Sequence, residues 1–172
     1  MRTWIDVAVL AKTRNSKGRF VVRSTAGLPF LLEEGDEVAF VPPQTDAPRQ
    51  ATVLDVRLLD DDSADVAFEG VESLDLAQRL TGCHCLIRRD LVDESVFRES
   101  PGTWEGWAVV DDDLGEVGFV AGVVDKPLQP LLELQRPDGS IALVPAVDEI
   151  IYDVDVSQSL VRTRLPQGIL DL

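Results

Sequence analysis

Cys83-His84-Cys85 is the segment whose residue types first suggest chemistry, because thiolate and imidazole groups are zinc ligands. A zinc site needs about four converging ligands, and the chain has no other Cys or His. In a strand, His84 would also point away from both cysteines. A disulfide is geometrically poor at this spacing, so free thiols in a reducing compartment are expected. We therefore predict no metal and no other cofactor.

Catalytic constellations are equally incomplete. A nucleophilic site would have to use His84, the single histidine. The runs Asp60-Asp61-Asp62 and Asp111-Asp112-Asp113 resemble carboxylate clusters, but a calcium loop needs acids at alternating positions with a Gly and a distant Glu. Both runs fall where hairpin turns are expected, so we interpret them as solvated turns. No glycine-rich phosphate loop occurs. The sequence thus indicates no catalytic residue, and a protein that is not an enzyme.

The stretch from Val7 to Leu32 holds five basic residues and no acid. Part of it forms a predicted strand–turn–strand loop. Because Lys and Arg make the positioning contacts to phosphate groups, we predict RNA contacts at Lys12, Arg14, Lys17, Gly18 and Arg19. A solvated hairpin tip is the alternative, and Gly18 would permit a positive-φ turn in either case.

Three aromatic residues, Phe97, Trp104 and Trp107, stand close together near the middle of the chain. Aromatic residues are enriched as anchors of interfaces, so we predict that these three bind a partner. Trp104 is the strongest candidate because its neighbours are loop-like. Trp107 begins an apolar strand, and burial in a core is the favoured interpretation for it.

The formal net charge is −15. Binding to naked nucleic acid needs clustered Lys and Arg, whereas an acidic surface favours a basic protein partner. Residues 94–172 hold 5 basic and 15 acidic residues, a balance of −10, against 11 and 16, a balance of −5, in residues 1–93. The alternative is that the acidity serves only solubility.

Short apolar runs separated by turn residues predict an all-β protein, a barrel or a sandwich. In the first half, strands are predicted at Trp4–Ala11, Arg19–Arg23, Glu37–Val41, Ala51–Leu59, Ala64–Phe68 and Cys83–Arg88. In the second half, which is interpreted as a separate small β-barrel, they are predicted at Trp107–Asp111, Glu116–Val124, Leu131–Gln135, Ser140–Val144 and Leu160–Leu165.

One short helix is predicted after Ser73, its N-cap, with Leu76, Ala77 and Leu80 on one face and Gly82 just after its end. The polar stretch 94–106 is interpreted as a linker, which gives domains 1–93 and 107–172. With no apolar run of 18 residues and no secretory signal, the sequence indicates a cytoplasmic protein without a membrane span.

Two segments carry a family resemblance. The first is Phe68-Glu69-Gly70, the Ala/Leu helix with Gly82, and the exit Asp90-Leu91. The second is Leu143–Ile151 together with the ending Leu165-Pro166-Gln167-Gly168-Ile169-Leu170-Asp171. In their order and spacing these segments resemble the RimM family of ribosome maturation factors, over nearly the whole chain.

The resemblance implies two small β-barrels, a translation-factor-like barrel followed by a PRC barrel. It also implies a factor that binds the head of the small ribosomal subunit through a basic ribosomal protein, number nineteen of the small-subunit series. Such a factor assists 16S rRNA processing and 30S assembly, and carries no catalytic residue.

This chain departs from the family pattern at two places. Thr13-Arg14-Asn15 replaces the usual Pro-His-Gly, and Arg19 replaces an acid. Glu99-Ser100-Pro101 stands where the family tends to have a tandem aromatic pair. The chain therefore resembles a divergent member, and the alternative function is a PRC-barrel protein-interaction module without a ribosomal role.

Overall fold

The chain divides after Val92 into two compact units, Met1–Val92 and Asp93–Leu172. The structure is a computed structural model and describes residues 3–172. Within those residues each unit contains six strands, which confirms the predicted all-β class. None of the helices in this range has the length and apolar content that a bilayer crossing requires.

The first unit is a closed barrel with strand order β1-β2-β5-β4-β3-β6. Its interior is filled by the inward side of each strand, where Phe68 meets Phe20 and Phe40 edge-on at centroid distances of 5.9 and 5.2 Å. Such edge-to-face pairs stabilise a core beyond the area that they bury. The strands are β1 (Trp4–Thr13), β2 (Phe20–Ser24), β3 (Glu37–Val41), β4 (Gln50–Leu58), β5 (Ser63–Phe68) and β6 (His84–Arg88).

Helix α1 (Leu74–Leu80) lies between β5 and β6 and confirms the predicted helix. The Ser73 hydroxyl accepts a hydrogen bond from the Leu76 amide at 3.2 Å, which satisfies one of the amides left free at a helix start. Ala77 and Leu80 are buried. Gly82 has φ +88° just beyond the helix, where the absence of a Cβ makes this conformation accessible.

The second unit is a six-stranded sheet with strand order β10-β9-β8-β7-β12-β11. All neighbours are antiparallel except β7 and β12, which pair in parallel. Its buried side is lined by Val120, Leu132, Leu134 and Val161. The strands are β7 (Ala108–Asp111), β8 (Gly115–Val124), β9 (Leu131–Gln135), β10 (Ile141–Pro145), β11 (Ile151–Asp155) and β12 (Leu160–Thr163).

The stretch 94–106 is structured, and its interpretation as a linker was wrong. Helix α2 (Glu94–Glu99) begins after Asp93, whose carboxylate accepts a hydrogen bond from the Ser95 amide at 2.8 Å. Phe97 anchors this single turn in the second unit. A helix of six residues shows too few apolar positions for its period to be visible, so the expectation of one helix was wrong as well. Residues 3–172 also include the 3-10 helices η1 (Arg89–Leu91), η2 (Pro101–Thr103) and η3 (Ile169–Asp171).

Candidate functional site

The loop between β1 and β2 is a compact hairpin turn. The Arg14 amide donates to the Arg19 carbonyl at 2.7 Å. The Asn15 carboxamide oxygen accepts hydrogen bonds from the amides of Lys17 at 2.9 Å and Arg19 at 3.4 Å. Because Asn side chains replace a backbone partner in such turns, Asn15 fixes the direction in which the basic side chains leave the loop.

Gly18 seats this loop against the segment that follows β5. It is buried, has φ +88°, and a Cβ built on it would stand 2.4 Å from the Val71 carbonyl oxygen. No side chain fits this contact without moving the backbone. The loop between β1 and β2 is therefore in direct contact with the segment around Val71 that follows β5.

Arg19 makes its contacts within the protein. Its Nε donates to Asp65 at 2.6 Å and its Nη2 to Asp55 at 2.9 Å. Burial by itself lowers the pKa of Arg19, but the hydrogen bonds and charges of Asp65 and Asp55 outweigh it and raise the pKa above its usual value. The two acids lie 46 and 36 residues away in sequence, so the local charge pattern did not show them.

The other basic side chains of the predicted RNA contact are exposed. Lys12 and Lys17 make no ion pair with any residue in the range 3–172. Arg14 lies 3.5 Å from Asp65 through its Nε. Arg57 is not among the predicted contact residues, but the ladders between β2, β5 and β4 place it in the same row as Val21 and Asp65. The candidate surface on the first unit is thus wider than the loop.

The three aromatic residues of the predicted partner site are in the interior of the second unit. Phe97, Trp104 and Trp107 are each at most 4% exposed. The Trp104 indole N–H donates to the Phe97 carbonyl at 2.6 Å, which supplies the partner that a buried indole needs. Trp107 is in the core, as the sequence favoured. Burial argues that these rings act by shaping the unit, since an interface anchor must present its ring to the partner.

Three exposed apolar residues of the second unit lie on strands β8 and β10. Phe119 on β8 and Ile141 on β10 both face Gln135 of β9 across their ladders, and Leu143 follows on the same side of β10. All three side chains are about half exposed. We name Phe119, Ile141 and Leu143 the apolar row. Its signal in the sequence is that β10 reads as apolar at successive positions, although one face of an antiparallel strand is usually polar.

The comparisons with known proteins cover both units. The model of the RimM PRC barrel domain matches residues 104–169. A ribosome maturation factor RimM from Porphyromonas gingivalis is 29% identical over 96% of this chain and 95% of that protein. Another protein of that name, from Oleidesulfovibrio alaskensis, is 26% identical over 100% and 97%. The second unit therefore matches the RimM PRC barrel domain, and the chain is similar to RimM proteins along nearly its whole length. A solved RimM structure from Pseudomonas aeruginosa is 16% identical, covers 95% of this chain and 98% of that one, and has a TM-score of 0.43, too low to carry an argument.

The Cys-His-Cys segment is part of the wall of the first barrel. His84 is exposed and its Nδ1 lies 2.7 Å from Asp6, whereas Cys83 and Cys85 are buried. The predicted opposite orientation of His84 is confirmed. Burial, followed by the nearby charge of Asp6, raises the pKa of Cys85 far above that of an ordinary thiol. Within residues 3–172, no group of three or more His, Cys, Asp or Glu side chains could hold a metal ion.

The two aspartate runs of the sequence lie at turns. Asp60, Asp61 and Asp62 are exposed, as predicted. Asp111 is buried, which corrects its interpretation as solvated. Its carboxylate accepts hydrogen bonds from the amides of Asp113, Leu114 and Leu165 and from the Thr163 hydroxyl. Burial by itself raises the pKa of Asp111, but these hydrogen bonds outweigh it, so the pKa is below its usual value.

Proposed function

We propose that this protein is a ribosome maturation factor. It binds the head of the immature small ribosomal subunit and assists 16S rRNA processing and 30S assembly. The observation that carries the proposal is the alignment of both units, along nearly their whole length, with proteins named ribosome maturation factors. Binding would stabilise one arrangement of the subunit over another, because only a difference in affinity between two states can shift their populations.

The two units offer different chemistry for this role. The exposed Lys12, Arg14 and Lys17 of the first unit suit ribosomal RNA phosphate groups. The second unit, with a balance of −10 over residues 94–172, suits a basic protein. We propose that this partner is the basic ribosomal protein number nineteen of the small subunit.

The apolar row is the proposed contact surface for that protein. Exposed apolar side chains supply the desolvated centre of an interface. Glu133 pairs with Leu143 on the neighbouring strand, so a carboxylate stands beside the apolar residues. An apolar surface within a strongly acidic unit favours a basic partner over an acidic one. Phe97, Trp104 and Trp107 would support this surface from inside the unit.

The protein is proposed to act in the cytoplasm, as a binding factor without enzymatic activity. The side chains that could take part in catalysis already have structural partners. His84 is paired with Asp6. The Asp111 carboxylate accepts hydrogen bonds from the Leu114 amide in the β7–β8 turn and from the Leu165 amide after β12. A protein-interaction module without a ribosomal role is the second candidate, and Glu99-Ser100-Pro101, in place of the family's tandem aromatic pair, favours it.

Cosedimentation of the full chain with small subunits, at low and moderate salt, tests the proposal. Wild-type protein is expected to bind immature subunits. Lys17→Ala should weaken binding several-fold, whereas Lys126→Ala, an exposed lysine in the second unit, should not. Phe119→Ser should also weaken binding, with Leu128→Ser as its control because Leu128 is almost fully exposed. Absence of binding at both salt concentrations would refute the proposal and favour the interaction module.

A further inference from the structure

Three arginines and two aspartates form a continuous network on the first unit. In spatial order they are Arg14, Asp65, Arg19, Asp55 and Arg57, joined by contacts of 3.5, 2.6, 2.9 and 3.1 Å. We name these five residues the arginine network. Each aspartate lies between two arginines, so the positive charges are at the two ends and in the centre.

The barrel places this network on its outer face. Phe20, Val22 and Val66 point into the core, so the alternation of side chains turns Asp65 outward. Asp65 pairs with Val21 on one side and with Arg57 on the other. The network extends from the end of β1 across β2 and β5 to β4. Three steps at the usual strand spacing span about 14 Å.

The centre of the network is shielded and its ends are exposed. The side chains of Arg19 and Asp65 are 15% and 12% exposed, against 45% for Arg14 and 70% for Arg57. Arg14 and Arg57 each approach their aspartate through Nε. Among the described residues, their terminal amino groups have no other partner. The guanidinium fork matches the oxygens of a phosphate group, and here it is held in place before binding.

The surrounding charge favours an anion. Lys12 is exposed in the same row as Val21, and Arg23 is exposed one row further along β2. With these two residues the group has five cations and two anions among the described side chains, a balance of +3, and the exposed Asp60-Asp61-Asp62 turn adjoins it at Arg23, where the Ser24 amide donates to the Asp62 carbonyl. The two aspartates are the residues that orient the arginines, so they do not make the face acidic.

We propose that the arginine network binds the phosphate backbone of RNA. Arg14 and Arg57 contact separate phosphate groups, and Arg19 is a positioning residue that holds both aspartates in place. This inference rests on the proposed RNA contact of the first unit and extends it from the loop to the barrel face. Because phosphate contacts carry no base information, the network would fix the register of the protein on RNA without selecting a sequence.

Equilibrium binding of the full chain to a fluorescein-labelled RNA stem–loop, at several salt concentrations, tests this inference. Arg57→Gln and Arg14→Gln should each weaken binding about 5- to 10-fold and reduce the salt slope by about 0.7–0.9. Arg88→Gln is the matched control. Arg88 is 51% exposed, is paired with Asp90, and lies on β6, which is opposite β5 in the barrel.

Replacing Arg19, the central residue of the arginine network, by lysine separates the effect of its geometry from the effect of its charge. Arg19→Lys keeps the positive charge but replaces the fork by a single nitrogen, which cannot bridge Asp65 and Asp55 as Arg19 does. Binding to the same stem–loop should weaken about threefold or more at every salt concentration, with an unchanged salt slope. Wild-type affinity in Arg19→Lys would overturn the positioning role.

The outcomes distinguish this inference from the proposed function. Equal affinities for Arg57→Gln, Arg14→Gln and Arg88→Gln, with RNA still bound, would overturn the network and leave Lys12 and Lys17 as the proposed RNA contact of the loop. Absence of RNA binding by the wild type at low salt would also overturn the network. In that case, cosedimentation with small subunits would still support a maturation factor that binds through its second unit.

Discussion

Replacing Arg19 by Ala should destabilise the first unit by about 2 kcal/mol. The change leaves Asp65, whose side chain is 12% exposed, with Arg14 at 3.5 Å as its remaining cation. Removing one partner of a fully buried ion pair costs about 3–5 kcal/mol. Leaving a buried group unsatisfied costs about 1–3 kcal/mol. Partial exposure and the nearby Arg14 place Arg19→Ala in the lower range.

Native-state hydrogen exchange, read at the amides of β2 and β5, measures this loss in the first unit alone. Asp65→Asn removes the charge that Arg19 compensates. In a double-mutant cycle the two changes should therefore be coupled by more than 1 kcal/mol. Arg88→Ala, which breaks an exposed pair, should cost about 0.5 kcal/mol or less. A loss in Arg19→Ala no larger than in Arg88→Ala, or additive changes in the cycle, would refute the reasoning.

Three further predictions concern single contacts. Gly18→Ala should lower the free energy of unfolding of the first unit by about 2 kcal/mol or more, because it adds a clash with Val71 to a positive φ. The control Gly35→Ala, at a residue with φ +94° and open space around it, should lower it by about 1 kcal/mol. Equal losses for the two variants, measured by hydrogen exchange, would contradict the contact. Trp104→Phe should destabilise the second unit by about 1 kcal/mol through loss of the hydrogen bond to the Phe97 carbonyl, measured by native-state hydrogen exchange at the amides of β8 and β9. The pKa of Asp111 is lowered in the folded protein, so the stability that Asp111 contributes is present above its unfolded pKa and is lost as pH falls through its folded pKa. The unfolding curves of wild type and Asp111→Asn should therefore converge in acid. A difference between them that is independent of pH would contradict this prediction.

The strands could be predicted because their signal is local. Short apolar runs bounded by turn residues located eleven of the strands within a few residues, and Ser73 marked the start of α1. Strand β11 was missed because its register shifts between Ile151 and Asp153. The extra residue puts two exposed positions, Tyr152 and Asp153, in succession, which interrupts the apolar run on which the prediction depends.

The candidate site was harder to predict because its decisive contacts are distant in sequence. The stretch around Lys17 contains no acid, but folding brings Asp55 and Asp65 to Arg19. Trp104 lies in a loop-like sequence, yet η2 and α2 carry it into the interior of the second unit. Local composition shows which side chains have the chemistry to bind a partner. The pairing of strands determines which of those side chains are already engaged within the protein.

The parallel pairing of β7 with β12 has a consequence for synthesis of the chain. The first barrel closes when β6 pairs with β1, so it can complete once residue 88 has left the ribosome. In the second unit β7 lies between β8 and β12, and the sheet cannot complete until residue 163 has emerged. At about 5–20 residues per second, roughly 4–15 s pass between emergence of the last strand of the first barrel and emergence of the last strand of the second sheet. During that time, a finished first barrel is attached to an open, acidic sheet that is still tethered to a translating ribosome.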